Sequence, residues 1–314
     1  MTKIKKDWAD KIGTGWTPDY IIPSGSILLD QSKALENYKG IPSGTMVQIS
    51  SKKEGSFKTS LALAGAREMQ KMGMKIVYID AEAGLTGTDW IEANGLSVDP
   101  DLWVYAQPEN GEEAFDMARY YIQSDDVHGI IIDSIDACQP SSIMESEFGD
   151  AHIGNHAKLV TQAVRQFKTL VRKHQKVLWL INQMRVNITQ MGARGHKSTG
   201  GDAINFYCKL NLVMNKDKSD NQLKDTDYIP LSIGVKRSKL GTSYTDLETF
   251  ALQGRGIDNE AELVSLALDK NMLTRNGSWY KELDPETGEI GETVGQNMEL
   301  AREWAIEHKE EILK

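Results

Sequence analysis

The chain reads as an α/β protein: a mainly parallel sheet with helices on both faces, an antiparallel extension, and a small α+β C-terminal domain. Three observations carry this. Short apolar runs at 46–49, 75–79, 129–132 and 177–181 alternate with amphipathic stretches at 58–72, 112–123 and 156–174. That is the pattern of βαβ units whose strands are buried on both sides. The segments 209–214, 229–237 and 245–252 alternate more, which predicts the antiparallel extension. After Gly254-Arg255-Gly256 the composition shifts, and a helix at 260–270, a turn region at Trp279-Tyr280 and a final helix at 297–313 predict the small domain. The expected organisation is a short N-terminal segment at 1–19, a core at 20–255, and an acidic C-terminal domain at 256–314.

With 314 residues, 40% of them hydrophobic, the chain can bury one large core and an appended domain. No stretch approaches the roughly 18 apolar residues of a membrane span. The basic start, Met1-Thr2-Lys3-Ile4-Lys5-Lys6, is not followed by an apolar run, so a cytoplasmic location with no membrane partner is expected. Cys138 and Cys208 form no CxxC pair and the six histidines lack ligand spacing, so neither a disulfide scaffold nor a zinc site is expected.

The net charge of −9 at first opposes a nucleic-acid partner, because phosphate contacts need Lys and Arg. The distribution reverses this. Between Asp150 and Asp202 there is no acid, while Lys158, Arg165, Lys168, Arg172, Lys173, Lys176, Arg185, Arg194 and Lys197 all fall there. The protein is polarised, with a basic middle and an acidic end.

The run Ser51-Lys52-Lys53-Glu54-Gly55-Ser56-Phe57-Lys58-Thr59-Ser60 lies between a predicted strand and a predicted helix. There, backbone N–H groups and a helix N-terminus cradle phosphates, and a lysine reaches the β and γ oxygens. Residues Glu54 to Ser60 are therefore the candidate nucleotide loop, with Lys58 on phosphate and the Thr59 hydroxyl as a Mg2+ ligand. The usual glycines are missing: Lys52 holds the first position and Phe57 precedes Lys58. An ordinary basic turn would look the same in isolation. Three further strand ends argue otherwise. Asp133 closes 129–132 as a metal-positioning carboxylate, Glu82 follows 75–79 where a carboxylate can orient water, and Gln183 follows 177–181 with an amide able to sense a γ-phosphate.

These residues and their spacing resemble the RecA family of recombinases, from about Ile21 to the C-terminus. The resemblance runs through Ser24-Gly25-Ser26-Ile27-Leu28-Leu29-Asp30, Gly40-Ile41-Pro42-Ser43-Gly44, Asp80-Ala81-Glu82, Gln107-Pro108 and Ile132-Asp133-Ser134. It continues through Gly149-Asp150-Ala151-His152-Ile153-Gly154, Ile181-Asn182-Gln183-Met184-Arg185, Ser198-Thr199-Gly200-Gly201 and Phe206-Tyr207. Ser56-Phe57-Lys58 is closer to the phage UvsX-type branch, which would make the location a host cytoplasm. The resemblance implies a RecA-like P-loop ATPase core using ATP and Mg2+. It implies partners too: single-stranded DNA, homologous duplex DNA, further copies of the chain in a helical filament, and single-strand-binding and mediator proteins.

By position, the family implies phosphate and metal roles for Lys58, Thr59 and Asp133, a water-orienting base in Glu82, and a γ-phosphate coupler in Gln183. Trp90 falls near the ring that stacks on adenine, and equally reads as a helix-packing Trp. Lys236, Arg237 and Lys239 fall where family members send cations to a neighbour's ATP; which one does so stays open, as does an exposed basic turn. Two loops, 145–155 and 185–204, are expected to face DNA, through Ile153, Arg185, Ile188, Arg194, Lys197, Ser198, Thr199, Gly200 and Gly201. Between them, Arg165, Lys168, Arg172 and Lys176 form a basic stripe opposite an apolar one, and Lys158 and Arg165 match family DNA contacts. Ile4, Trp8 and Ile12 would give the short N-terminal segment a face to dock on a neighbour. The function expected is a DNA-dependent ATPase and strand-exchange protein. A RecA-like regulator with weak hydrolysis, and a ring-forming helicase or clock-type ATPase on the same fold, are the competing readings.

Overall fold

The structure is a computed structural model; it describes residues 15–53, 55–85, 87–147, 154–188, 194–198, 202–216 and 228–314, with the backbone alone at 185–188, 194–198 and 202. Its strands are β1 (Ile21–Ile22), β2 (Ile41–Pro42), β3 (Thr45–Ser51), β4 (Lys75–Asp80), β5 (Trp103–Ala106), β6 (Val127–Asp133), β7 (Val177–Ile188) and β8 (Arg194–Ser198). Then come β9 (Leu210–Lys216), β10 (Tyr228–Ser238), β11 (Thr245–Leu252), β12 (Gly256–Ile257), β13 (Leu273–Asn276), β14 (Trp279–Leu283) and β15 (Ile290–Gly295). The helices are α1 (Ile27–Gln31), α2 (Lys58–Lys71), α3 (Asp89–Ala93), α4 (Gly111–Gln123) and α5 (Ser141–Met144). After them come α6 (Asn155–Lys173), α7 (Asp202–Tyr207), α8 (Asn259–Asp269), α9 (Met298–Glu307) and α10 (Lys309–Ile312).

The large sheet has the order β12-β11-β10-β9-β3-β7-β6-β4-β5. Strands β9, β3, β7, β6, β4 and β5 pair in parallel, as the buried apolar runs require. Successive residues of each strand feed two cores. Val47, Ile49, Ile131, Trp179 and Ile181 face α2, whose Leu61, Ala62, Ala66 and Met69 cover them. Met46, Ile130, Ile132, Leu178 and Leu180 meet Ala118 of α4 and Val164 and Phe167 of α6. Gly25 lies against α2 so closely that a Cβ there would meet the Gly65 backbone nitrogen at 2.4 Å; only two glycines allow that approach.

Several expectations change. The segment 209–214 was expected in the antiparallel extension, yet β9 is parallel to β3 and antiparallel to β10, so the switch of direction falls one strand later. Trp279-Tyr280 is not a turn but the start of β14, with Tyr280 buried; the turn is the preceding Gly277, at φ 60. The helix expected at 297–313 divides into α9 and α10 at His308, whose Nδ1 bonds the Trp304 carbonyl at 2.8 Å. The segment 185–204 was expected as a loop, whereas β7 continues to Ile188 and pairs antiparallel with β8. Ile4, Trp8 and Ile12 lie outside the described residues.

The small domain has its own core, Leu263, Val264, Ala267, Tyr280, Ala301 and Ala305, joined by Leu28 of α1. A buried polar clasp completes that joint. Glu262 accepts from Ser26 Oγ at 2.7 Å, from the Leu28 N–H at 3.2 Å and from Thr249 Oγ1, while Asp30 accepts from the Ser24 N–H at 3.0 Å. Burial raises both carboxyls, Glu262 to about 6 and Asp30 to about 7, with the Glu262 charge adding to Asp30. Their unfolded values lie near 4, so between about 4 and 7 the folded state holds more protons than the unfolded one. Stability from this pair is therefore greatest at low pH and falls as pH rises through that window. We expect the thermal midpoint of Glu262→Gln to depend less on pH than that of the wild type between about pH 4 and 7. Glu262→Ala, which strips the acceptor from buried donors, should cost about 3 kcal/mol or more in denaturant unfolding. Equal pH slopes, or an unaffected Glu262→Ala, would count against the clasp.

Candidate active site and nucleic-acid surface

The parallel strands bring the predicted residues Gln183 and Asp133 to one sheet edge, with Lys58 and Glu82 held beside them. Ser51, the last residue of β3, pairs in register with Gln183 of β7, and Asp80 of β4 pairs with Asp133 of β6. The chain leaves β3 for the loop and enters α2 at Lys58. Lys58 Nζ donates to Ser51 Oγ at 3.1 Å, and Thr59 Oγ1 donates to Asp133 Oδ2 at 2.7 Å. Ser134 Oγ donates to Glu82 Oε1, which holds that carboxylate beside Asp133. Thr59, Glu82 and Asp133 open on a cavity of about 540 Å3, lined also by Tyr78, Asp80 and Trp90, whereas Lys58 and Gln183 are not in its wall. Trp90, on α3, both lines this cavity and packs against the core, so its two readings are compatible. Ser56 is buried, with its hydroxyl on the Lys53 carbonyl at 2.6 Å, and Ser60 is buried in α2. Glu54 lies outside the described residues.

Asp133 is buried, and its carboxyl is raised to about 6, mainly by loss of water and further by the charges of Glu82 and Asp80. The hydroxyls of Thr59 and Tyr78 oppose that rise. Asp80 serves a different end: it accepts from the Gly84 and Leu85 N–H groups at 3.2 and 3.0 Å and from Tyr105 OH at 3.0 Å, shaping the wall after Glu82.

The missing glycine before Lys58 is replaced in conformation, not in sequence. Phe57 sits at φ 59, ψ 28, in the left-handed region a glycine would enter freely, and Gly55 also has positive φ. For a non-glycine residue this costs about 1–2 kcal/mol. The Phe57 ring packs against the core beneath the loop, and its carbonyl accepts the first helix bond, from Leu61 at 3.1 Å.

The three candidate cations on β10 and the following turn separate. Lys236 lies 3.5 Å from Asp246 on the adjacent strand β11. Arg237 Nη1 donates to the Asn205 carbonyl at 2.9 Å and Lys239 Nζ to the Phe206 carbonyl at 3.4 Å. Both cations lie 5.6 Å from the centre of the Phe206 ring, which is 60% exposed. Lys239 is lowered by burial and then by Arg237 and Lys168, so like charges gather there. A register shift between Val235 and Arg237 breaks the alternation that sequence spacing alone would give.

The basic stripe divides as well. Lys158 and Arg165 line an open groove on α6. Lys168 stands 5.5 Å from the Tyr207 ring centre, on the side of the Arg237 and Lys239 cluster. Lys176 does not belong to the stripe: α6 ends at Lys173, and Lys176 is buried, its Nζ donating to the Ser124 carbonyl at 2.8 Å and to the Val127 carbonyl. Arg185, Ile188, Arg194, Lys197 and Ser198 lie on the β7–β8 hairpin, described in backbone alone. Ile153, Thr199, Gly200 and Gly201 lie outside the described residues.

Sequence reasoning missed Tyr78 and Ser134. Tyr78 had a signal: two residues before Asp80 on a strand, it faces the same side. Among the described residues, no helix is long and apolar enough to cross a membrane, and no cluster of His, Cys, Asp and Glu has a metal site's form.

Residues 15–258 match the RecA N-terminal domain family. The chain is 33% identical over 305 residues to Protein RecA of Borrelia duttonii, covering 93% of this chain and 81% of that protein. It is 33% identical to Protein RecA of Thermotoga petrophila, covering 84% of this chain and 72% of that protein. Against Protein RecA of Francisella tularensis subsp. novicida it is 31% identical over 93% of this chain and 77% of the other. With strand ends, loop and cavity arranged as described, the chain belongs to the RecA family and carries a RecA-type recombinase and ATPase role.

Proposed function

We propose that this chain holds ATP and Mg2+ in the strand-end cavity, assembles on single-stranded DNA as a helical filament, and pairs that strand with homologous duplex DNA. The observation that carries the reading is the meeting of Thr59 and Asp133, from two separate elements, at 2.7 Å beside Glu82. The donor set suits Mg2+: a hydroxyl and a carboxylate are hard oxygen ligands, and Asp133 is a buried acid whose charge a cation would offset. Thr59 and Asp133 would hold the ion, which supplies charge neutralisation at the phosphate oxygens. Lys58, at the N-terminus of α2, binds phosphate with the loop N–H groups. Glu82, fixed by Ser134, orients the water and accepts its proton. Gln183, beside the loop and at the root of the β7–β8 hairpin, links phosphate to the DNA-facing segment.

Arg237 and Lys239 are the cations that would reach a neighbouring protomer's ATP, since they share an exposed aromatic patch while Lys236 has an acid beside it. Lys158 and Arg165 would bind the DNA backbone. Single-strand-binding and mediator proteins are further partners this reading expects. The Ser56-Phe57-Lys58 run favours the phage UvsX-type branch and a host cytoplasm.

Three outcomes test this. ATP hydrolysis should rise on adding single-stranded DNA, and Glu82→Gln should lower that turnover by about 10²–10⁴-fold while nucleotide binding persists. DNA binding without any turnover would favour a non-hydrolysing regulator. Arg237→Ala and Lys239→Ala should each lower kcat of the DNA-bound filament by about 10²–10³-fold, whereas Lys236→Ala stays near wild type; the reverse ranking would reassign the cation. Replacing Lys158 and Arg165 together by Ala should reduce the slope of log affinity against log salt by about 1.4 for single strands. An unchanged slope would remove both from the DNA contact set.

A further inference from the structure

Among the side chains lining the cavity, Tyr78 is one that the phosphate, metal and water roles above leave unused. It is 2% exposed, on β4, two residues before Asp80 and diagonal to Asp133 on the paired strand β6. Its hydroxyl donates to Asp133 Oδ2 at 2.7 Å, the same oxygen that takes the Thr59 hydroxyl at 2.7 Å. The ring cannot swing away. It stacks on Trp103 at 5.7 Å with planes 25° apart, and on Tyr105 at 6.5 Å with planes 11° apart. Tyr105 makes the parallel contact one strand further on, its hydroxyl on Asp80 Oδ2 at 3.0 Å. An aromatic ladder across β4 and β5 thus ends in two hydroxyls, each on a strand-end carboxylate.

We propose that Tyr78 is a positioning residue of the triphosphate site, its hydroxyl holding the Asp133 carboxylate in the one orientation from which it can serve a divalent cation. A buried carboxylate oxygen has little water to bond to, so its orientation is set by whichever donors the protein supplies. Thr59 alone would be a poor anchor, because its hydroxyl oxygen must also face the cation. Tyr78 comes from the rigid sheet rather than from the nucleotide loop, so it holds Asp133 independently of how that loop is occupied. Partners of this kind, one step removed from a metal, typically change metal affinity by about 10–100-fold when lost.

The proposal rests on the reading of Thr59 and Asp133 as the Mg2+ site, and the test separates the two. Binding of a fluorescent ADP analogue to the full chain is titrated with Mg2+, for wild type, Tyr78→Phe and Tyr105→Phe, each also measured in EDTA. Phenylalanine keeps the ring and its stacking, and the thermal transition in EDTA checks that each variant is folded. In the expected result, Tyr78→Phe raises the Mg2+ midpoint by about tenfold, leaves affinity in EDTA unchanged, and Tyr105→Phe keeps the wild-type midpoint. A folded Tyr78→Phe with the wild-type midpoint overturns the proposal, as does an equal shift in both variants, which would make the ladder a matter of general stability. Wild-type nucleotide binding indifferent to Mg2+ would instead remove the metal reading beneath it.

Discussion

The arrangement depends on one buried carboxylate. Asp133 ends β6 where water has been largely excluded, and its ionised form is disfavoured first by that burial and then by the charges of Glu82 and Asp80. Thr59 reaches it from the first turn of α2 and Tyr78 from β4. The Thr59 bond ties the start of α2 to the sheet, and the Tyr78 bond fixes the acid from within the sheet. The loop position, the cavity and the neighbouring carboxylates all follow from where that acid is held.

The loop shows how a conformation can survive the loss of the residue best suited to it. Phe57 occupies left-handed backbone space that ordinarily belongs to glycine. Its ring is half-buried against the core, and the contact it makes there offsets part of the conformational cost. A glycine count alone would have judged the loop defective, whereas the backbone path into α2 is retained.

The sheet also sorts charge. Parallel strands in the centre end in the carboxylates and the amide of the candidate site, whereas antiparallel β10 and the turn after it carry the cations Lys236, Arg237 and Lys239, which do not line the cavity. Of these, Arg237 and Lys239 flank exposed Phe206, with Lys168 near Tyr207, while Lys158 and Arg165 occupy a separate groove. The acidic small domain is joined to α1 through Leu28 and the Glu262 clasp. A chain of net charge −9 thus keeps two cationic regions apart from its acidic end.

By itself the sequence determined the βαβ core, because apolar runs bounded by amphipathic stretches have one economical packing. It also determined which strand ends carry Lys58, Glu82, Asp133 and Gln183, since order along the chain places them after those runs. Tertiary structure decided what periodicity cannot encode. Whether β9 runs with β3 depends on a neighbour distant in the chain. Lys176 looked like the last member of a helical stripe, but the helix stops at Lys173 and the side chain turns into carbonyls of another segment. The separation of Lys236 from Arg237 comes from a shift in strand register. Tyr78 shares a strand face with Asp80 in the sequence, but its bond to Asp133 exists only because β6 lies beside β4. Each of these is set by a non-local contact, and a linear sequence shows spacing within an element, not which element will lie next to it.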